Sequence, residues 1–280
     1  MKKLFAIIIT GIFPYIATAQ NVIFEKEDSI RIESMLHDLA GKKPTAELLT
    51  EIANAFVGEK YVSGTLEQGI DEPLTISCSR LDCTTFVELV VAIAMSSRNG
   101  DTDFGSACNN LEKIRYRNGK NSGYASRLHY ISWWITDAAK SGIVQEITAS
   151  MSNERQGGSL NYMSTHPDSY PLLVEYPHLI NEIANHEKMS NMDNICYIPK
   201  ERLNDCSTLD IKDGDIIAIT TSIAGLDVTH IGFAYYNNGK LCLLHASSEK
   251  EMVIKDSRPL YDYLKNRKKH TGIRVFRAVF

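Results

Sequence analysis

The run Arg80-Leu81-Asp82-Cys83-Thr84-Thr85-Phe86-Val87-Glu88-Leu89-Val90-Val91-Ala92-Ile93-Ala94-Met95 constrains the fold more than any other part of the chain. After Asp82-Cys83 it is apolar on nearly every side, with a single charge at Glu88. It is too long for a typical strand and too interrupted for a membrane span, which predicts a buried helix. Asp82 has the short acceptor side chain preferred at an N-cap, so Cys83 falls in the first helical turn. Free backbone N–H groups and the positive end of the macrodipole favour an anion there. The Cys83 thiol is therefore expected to be more acidic than a free cysteine, whose pKa is about 8.5, and its thiolate to be a nucleophile. The competing reading is a small buried hydrophobe, because free cysteine is among the most buried residue types. A nucleophile needs a base, so the decision falls to the histidines elsewhere in the chain.

Met1-Lys2-Lys3, the apolar stretch from Leu4 to Ile16 and Ala17-Thr18-Ala19 carry the basic, apolar and small-residue segments of a secretory signal peptide. Residues 1–19 are read as that signal, with cleavage after Ala19, and 20–280 as a single catalytic domain, secreted or periplasmic, with no membrane contact after cleavage. An uncleaved membrane anchor is the minority alternative. Without Lys2 and Lys3 the chain has 28 basic against 34 acidic residues. That balance, with no basic patch interleaved with aromatics, gives no sign of nucleic acid as a partner. Cys78, Cys83, Cys108, Cys196, Cys206 and Cys242 are sparse and irregularly spaced. In an exported protein they could pair. Cys78 and Cys83 lack the second close pair that would make a zinc site, and no metal or cofactor is expected.

Ile30, Ile32, Met35, Leu36 and Leu39 fall at helical spacing, and a second helix is expected from near Thr45 to Gly58. Leu128 to Ala139 reads as an amphipathic helix closed by Ser141-Gly142. Around it, from about 100 to 200, the chain is helical in parts and loop-rich in others, and is expected to form an insertion walling a substrate cleft. Its most chemically suggestive piece is Asn161-Tyr162-Met163-Ser164-Thr165-His166, although a lone loop histidine is usually only solvated.

The second half changes character. Lys212-Asp213-Gly214-Asp215 is a turn signal, followed by the apolar strand Ile216-Ile217-Ala218-Ile219-Thr220. Val228 to Tyr235 and Leu241 to Ala246 read as a hairpin about Asn238-Gly239, and Gly272 to Phe280 as a terminal strand. Helices first and an antiparallel sheet afterwards argue for an α+β fold. With a two-residue turn at Asn238-Gly239, His245 faces Gly232 and His230 points to the same side as Gly232. The two imidazoles are then diagonal neighbours, roughly 7–8 Å apart at Cα, with the missing side chain of Gly232 leaving room between them. Ile231, Phe233 and Tyr235 point the other way, into core. A three-residue loop would reverse the parity and leave two unrelated strand histidines.

Together these parts match nucleophilic cysteine catalysis. Cys83 would attack a carbonyl, His230 would move the proton, and His245 would hold the tautomer of His230. The Cys83 backbone N–H or its neighbours would contribute to an oxyanion hole.

The order Asp-Cys opening an apolar helix, Gly-Asp before an apolar strand, Thr229-His230-Ile231-Gly232-Phe233-Ala234-Tyr235 and then Leu244-His245-Ala246-Ser247 resembles the NlpC/p60 superfamily of papain-like cell-wall cysteine hydrolases. More closely, Arg80 to Glu88 is similar to the branch called N-acetylmuramoyl-L-alanine amidase-like. The resemblance implies a papain-like core in which the cysteine-bearing helix packs on an antiparallel sheet, with Cys83 as nucleophile, His230 as base and His245 as the orienting residue. Tyr61 matches the tyrosine placed beside the nucleophile, and Asp82, Tyr162 and His166 are further candidates for substrate contact. The implied partner is peptidoglycan or its muropeptide fragments, acted on by a monomer. Thr84-Thr85 stands where most of the superfamily has Ser-Gly, which points to a differently shaped cleft. The branch implies cleavage between N-acetylmuramic acid and L-alanine. The alternatives are an endopeptidase cutting between D-glutamate and a diamino acid, a zinc amidase, and a silent wall-binding module.

Overall fold

The computed structural model of the chain describes residues 21–40, 42, 46–190 and 192–279, so the expected signal peptide lies outside it. The helices are α1 (Lys26–Leu39), α2 (Ala46–Asn54), α3 (Cys83–Asn99), α4 (Phe104–Arg115), α5 (Ile131–Lys140), α6 (Tyr162–Thr165), α7 (Pro171–Glu175), α8 (His178–Lys188) and α9 (Leu260–Leu264). The strands are β1 (Val22–Ile23), β2 (Lys60–Tyr61), β3 (Leu74–Thr75), β4 (Arg80–Leu81), β5 (Val144–Glu146), β6 (Ile198–Pro199), β7 (Ile216–Thr221), β8 (Val228–Asn237), β9 (Lys240–Ser247), β10 (Met252–Asp256) and β11 (His270–Ala278). One mixed sheet of nine strands runs β4-β2-β10-β9-β8-β7-β11-β5, with β6 also paired to β11, while β1 and β3 form a small parallel pair. Among the described residues no helix is long and apolar enough to cross a membrane. The α+β reading agrees with this architecture.

The starting motif of α3 is built as its residues dictate. The Asp82 carboxylate accepts from the N–H groups of Thr84 at 3.0 Å and Thr85 at 2.8 Å, and the Thr85 hydroxyl accepts from the Asp82 N–H at 2.9 Å. This reciprocal cap satisfies donors that a helix start otherwise leaves open. Gly100, at φ 77°, closes the helix in the left-handed conformation. Between these caps Phe86, Val87 and Leu89 to Ala94 are all buried. Phe86 stands edge-on to Phe233 of β8, with ring centroids 5.6 Å apart, and so pins α3 against the centre of the sheet. Glu88, the lone charge, takes a 2.7 Å hydrogen bond from Arg115 Nε, and Arg115 Nη1 donates to the Thr75 carbonyl at 2.7 Å.

The second half follows its alternation. Asn238 at φ 49° and Gly239 at φ 74° make the two-residue hairpin turn, and the β8–β9 register pairs Phe233 with Leu244 through to Asn237 with Lys240. Ile231, Phe233 and Tyr235 join the core beneath α3, whereas Ala234 belongs to a second core on the opposite face with Ile217, Ile219, Leu243 and Leu264. β7 is buried on both faces, which its continuous apolar run anticipates. The region from 100 to 200 is knitted into this framework. β5 and β6 both pair with β11, and Tyr130, Trp134 and Leu173 share the core of α3.

Candidate functional site

Three adjacent strands set the site. Between β7 and β8 the register shifts, with Ile219 opposite His230 and Thr220 opposite Val228, so Thr229 is the extra residue of a bulge. Such bulges bend a strand and re-aim the neighbouring side chain. His230 Nε2 lies 2.5 Å from His245 Nδ1, with the rings almost perpendicular at 87°. The diagonal arrangement expected from the Asn238-Gly239 register is therefore observed. Gly232 makes it possible, since a Cβ there would lie 2.8 Å from both the His245 Cβ and the Leu244 carbonyl oxygen. Any larger residue would push the strand bearing His245 away.

Cys83 opens α3 at the same place. Its sulfur takes the backbone N–H of Ile231, the residue after His230, together with the Thr84 hydroxyl and its own backbone N–H. No hydrogen bond joins the sulfur directly to the imidazole among the described contacts. Tyr61 on β2 and Tyr263 on α9 both lie close enough to Cys83 that a thiolate there would add to the upward push that burial gives their hydroxyls.

The resting charge state differs from the expected one. The helix start was to make the thiol more acidic, but burial, followed by the Asp82 carboxylate, pushes Cys83 up to about 12. Hydrogen bonds to sulfur from Ile231 and the first turn pull the other way without prevailing. The residue that caps the helix thus opposes the thiolate that the helix start favours. His230 moves in the complementary direction, down to about 3, through burial first and then the neighbouring His245, His270 and Arg267. Both partners are neutral at rest.

Asp256, at the end of β10, was not anticipated from sequence. Its Oδ2 lies 3.9 Å from His245 Nε2, and Arg258 holds its two oxygens through Nε at 3.0 Å each and Nη2 at 2.5 Å. The alternation of Met252-Val253-Ile254-Lys255-Asp256 and the Ser257-Arg258-Pro259 turn after it were the signals available.

Tyr162 opens α6 and His166 caps its end, their rings stacked 4.3 Å apart at 12°. The N–H groups of Asn161 and Tyr162 both donate to the Gly225 carbonyl, in the loop that leads to Asp227 and β8. This ties their wall to the approach of His230, but no described contact links either ring to Cys83 or His230. Two cavities of about 410 Å³ each, one lined by Leu203, Cys206 and Tyr236 and the other by Arg117, Trp133 and His186, also lie away from Cys83. All six cysteines are free thiols. Among the described residues no three His, Cys, Asp or Glu side chains are grouped to hold a metal ion.

Comparison with known proteins bears on this geometry. An N-acetylmuramoyl-L-alanine amidase from Bacteroides uniformis is 40% identical, with a TM-score of 0.80 over 84% of this chain and 99% of that one. A Bacteroides fragilis protein described as a candidate xylanase is 45% identical, with a TM-score of 0.77 over 81% of this chain and 99% of that one. A protein from Legionella pneumophila is 25% identical, with a TM-score of 0.72 over 91% of this chain and 95% of that one. No curated protein matches. The family described as N-acetylmuramoyl-L-alanine amidase-like matches residues 51–273, which span α3, both histidines and Asp256. This chain belongs to the N-acetylmuramoyl-L-alanine amidase-like family.

Proposed function

We propose that the protein is an exported, monomeric peptidoglycan amidase of papain-like NlpC/p60 type, formed by residues 20–280 as one catalytic domain. It cleaves the amide between N-acetylmuramic acid and L-alanine with Cys83 as nucleophile, His230 as base and His245 as the group that orients His230. The observation that carries this reading is the His230–His245 pair, at 2.5 Å across β8 and β9, with the N–H of Ile231, next after His230, on the Cys83 sulfur.

The neutral resting state suggests how the first step runs. Sulfur adds to the lactyl carbonyl carbon of the muramic acid as His230 takes the thiol proton, so that no free thiolate has to persist in this half-buried site. The Cys83 and Ile231 N–H groups already converge on the sulfur, near where the carbonyl oxygen becomes negative. The protonated His230 then gives its proton to the alanine nitrogen as the C–N bond breaks, leaving a thioester on Cys83. Water, deprotonated by His230, releases the sugar acid and restores the thiol. Tyr61 beside the sulfur, and Tyr162 with His166 on the farther wall, supply surfaces for the sugar and stem peptide.

Glycan-chain hydrolysis, the activity that the Bacteroides fragilis description names, needs two carboxylates flanking the scissile bond. The carboxylate next to Cys83 is Asp82, and its oxygen is committed to the helix cap. The deciding experiment is mass spectrometry of muropeptides digested by wild type and by Cys83→Ala, with and without a strong chelator. Free N-acetylmuramic acid ends with intact peptides, lost in the variant and retained with chelator, are expected. Cleavage after D-glutamate would move the assignment to the endopeptidase, and undiminished turnover by Cys83→Ala would reject the nucleophile.

A further inference from the structure

We propose that Asp256 is a positioning residue which sets the proton arrangement of the whole histidine row. The inference rests on the reading of Cys83 and His230 given above. His230, His245 and Asp256 stand on β8, β9 and β10, three neighbouring strands. In the β9–β10 ladder His245 faces Ile254, so Asp256, two residues on, is its diagonal neighbour on the same face. The relation repeats the one between His245 and His230 across the other strand boundary. Three side chains therefore form a diagonal row on one face of the sheet.

The buried end of that row is incomplete. His245 is fully buried, its Nδ1 is engaged by His230, and its Nε2 has no hydrogen-bond partner. The Asp256 oxygen at 3.9 Å is too far for a hydrogen bond but close enough to govern which nitrogen carries the proton. Arg258 grips that carboxylate through its guanidinium, and the Arg258 backbone N–H adds a 3.0 Å bond. Against burial, the facing His245 and then these Arg258 bonds hold Asp256 well below the usual carboxylate range. An ionised carboxylate accepts hydrogen bonds and donates none.

The consequence runs along the row. His245 must turn an N–H toward Asp256, which puts its proton on Nε2 and leaves Nδ1 as an acceptor. His230 Nε2 must then be the donor in the 2.5 Å contact. That leaves the lone pair of His230 on Nδ1, the nitrogen free to receive the thiol proton. When His230 becomes an imidazolium, the groups facing it are His245, His270 and Arg267, none of which offers negative charge. Asp256 supplies it through His245, and a movement of about 1 Å closes the open contact into a charge-assisted hydrogen bond. Catalytic hydrogen bonds are commonly long before substrate arrives.

The test is nitrogen NMR of histidine-labelled protein together with steady-state kinetics on muropeptides. In wild type both His230 and His245 are expected as Nε2–H tautomers. Asp256→Asn can present an amide N–H to His245 Nε2, reversing the row and placing a proton on His230 Nδ1. A fall in kcat of about 10- to 100-fold is expected, taking the size found for the outer partners of metal-binding histidines as the guide. KM should hold, the acidic limb of the pH profile should move, and both tautomer signals should change. Asp256→Glu, which keeps the charge, should retain the wild-type tautomers. Unchanged kcat, pH limb and tautomers in Asp256→Asn would overturn the proposal. If that variant does not fold, a His245 Nδ1–H tautomer in wild type overturns it alone. An active Cys83→Ala would instead remove the nucleophile reading, while the tautomer measurement still decides the role of Asp256.

Discussion

Glu88 with Arg115 and His230 with His245 are both titratable pairs sunk into apolar packing, yet they are finished differently. In the first, opposite charges meet at 2.7 Å and Arg115 spends another donor on the Thr75 carbonyl. Burial pushes the Glu88 carboxyl up while the guanidinium pulls it back, and both side chains are almost fully enclosed. In the second, two rings share one short contact, and the outer nitrogen of His245 lies 3.9 Å from its carboxylate. A closed pair holds architecture and has nothing left to give. A row with an open end can take up a proton and respond to it. Buried polar groups in this fold are thus told apart by how completely they are satisfied.

The largest expected effect falls on Cys83 and on the open row beside it. Cys83→Ala and His230→Ala should each lower turnover by about 1,000-fold or more, as the loss of a member of a nucleophile–base unit does, with a melting temperature near wild type. Loss of folding in step with activity would erase the contrast with the closed pair. Next comes that pair. Glu88→Ala leaves Arg115 buried without its carboxylate and should cost about 3–5 kcal/mol in urea unfolding, with activity per folded molecule retained. A change under about 0.5 kcal/mol, the size of an ordinary surface substitution, would mean the pair is not structural.

A smaller effect tests the spacing of the histidines. Gly232→Ala sets a methyl 2.8 Å from the His245 Cβ, and is expected to cost about 1–3 kcal/mol of overpacking. Its kcat should fall as the rings are driven apart. Full activity would show that the short contact is not needed.

The pH dependence of stability follows from the sign of the His230 shift. Its folded pKa, about 3, lies below the ordinary histidine value, so between the two the unfolded chain binds more protons. Stability should fall as pH drops below about 6.5. His129 and His270 are shifted down as well, so the comparison must be between wild type and His230→Gln. From pH 7 to 5 the wild type should lose about 1–2 kcal/mol more than the variant. Parallel curves would mean that His230 is not held neutral by its site. The smallest effect is expected at the wall, where Tyr162→Ala and His166→Ala should raise KM and leave kcat alone.

Much of this was legible from local rules. Asp82 marked a helix start, the apolar run marked its burial, and Asn238-Gly239 marked the turn that places His230 and His245 on one face. Each depends on residues close in the chain, where capping, periodicity and turn chemistry act. Glu88 announced itself as an exception but not its partner, because Arg115 comes from another helix. Asp256 was missed for the same reason, since β10 has value to the site only through its register with β9. The wall of Tyr162 and His166 was identified as a segment, while its attachment to the loop before β8 depends on the Gly225 carbonyl.

By itself the sequence determined where the cysteine-bearing helix begins, which face each histidine takes and that helices precede an antiparallel sheet. Those outcomes follow from sterics and hydrogen bonding within a few residues or across one tight turn. Tertiary structure alone decided that burial and Asp82 push the Cys83 thiol up against the pull of the helix start, and that Asp256 comes to the far side of His245. Desolvation and charge act through space, so the proton balance of this site exists only once α3, β8, β9 and β10 have closed around it.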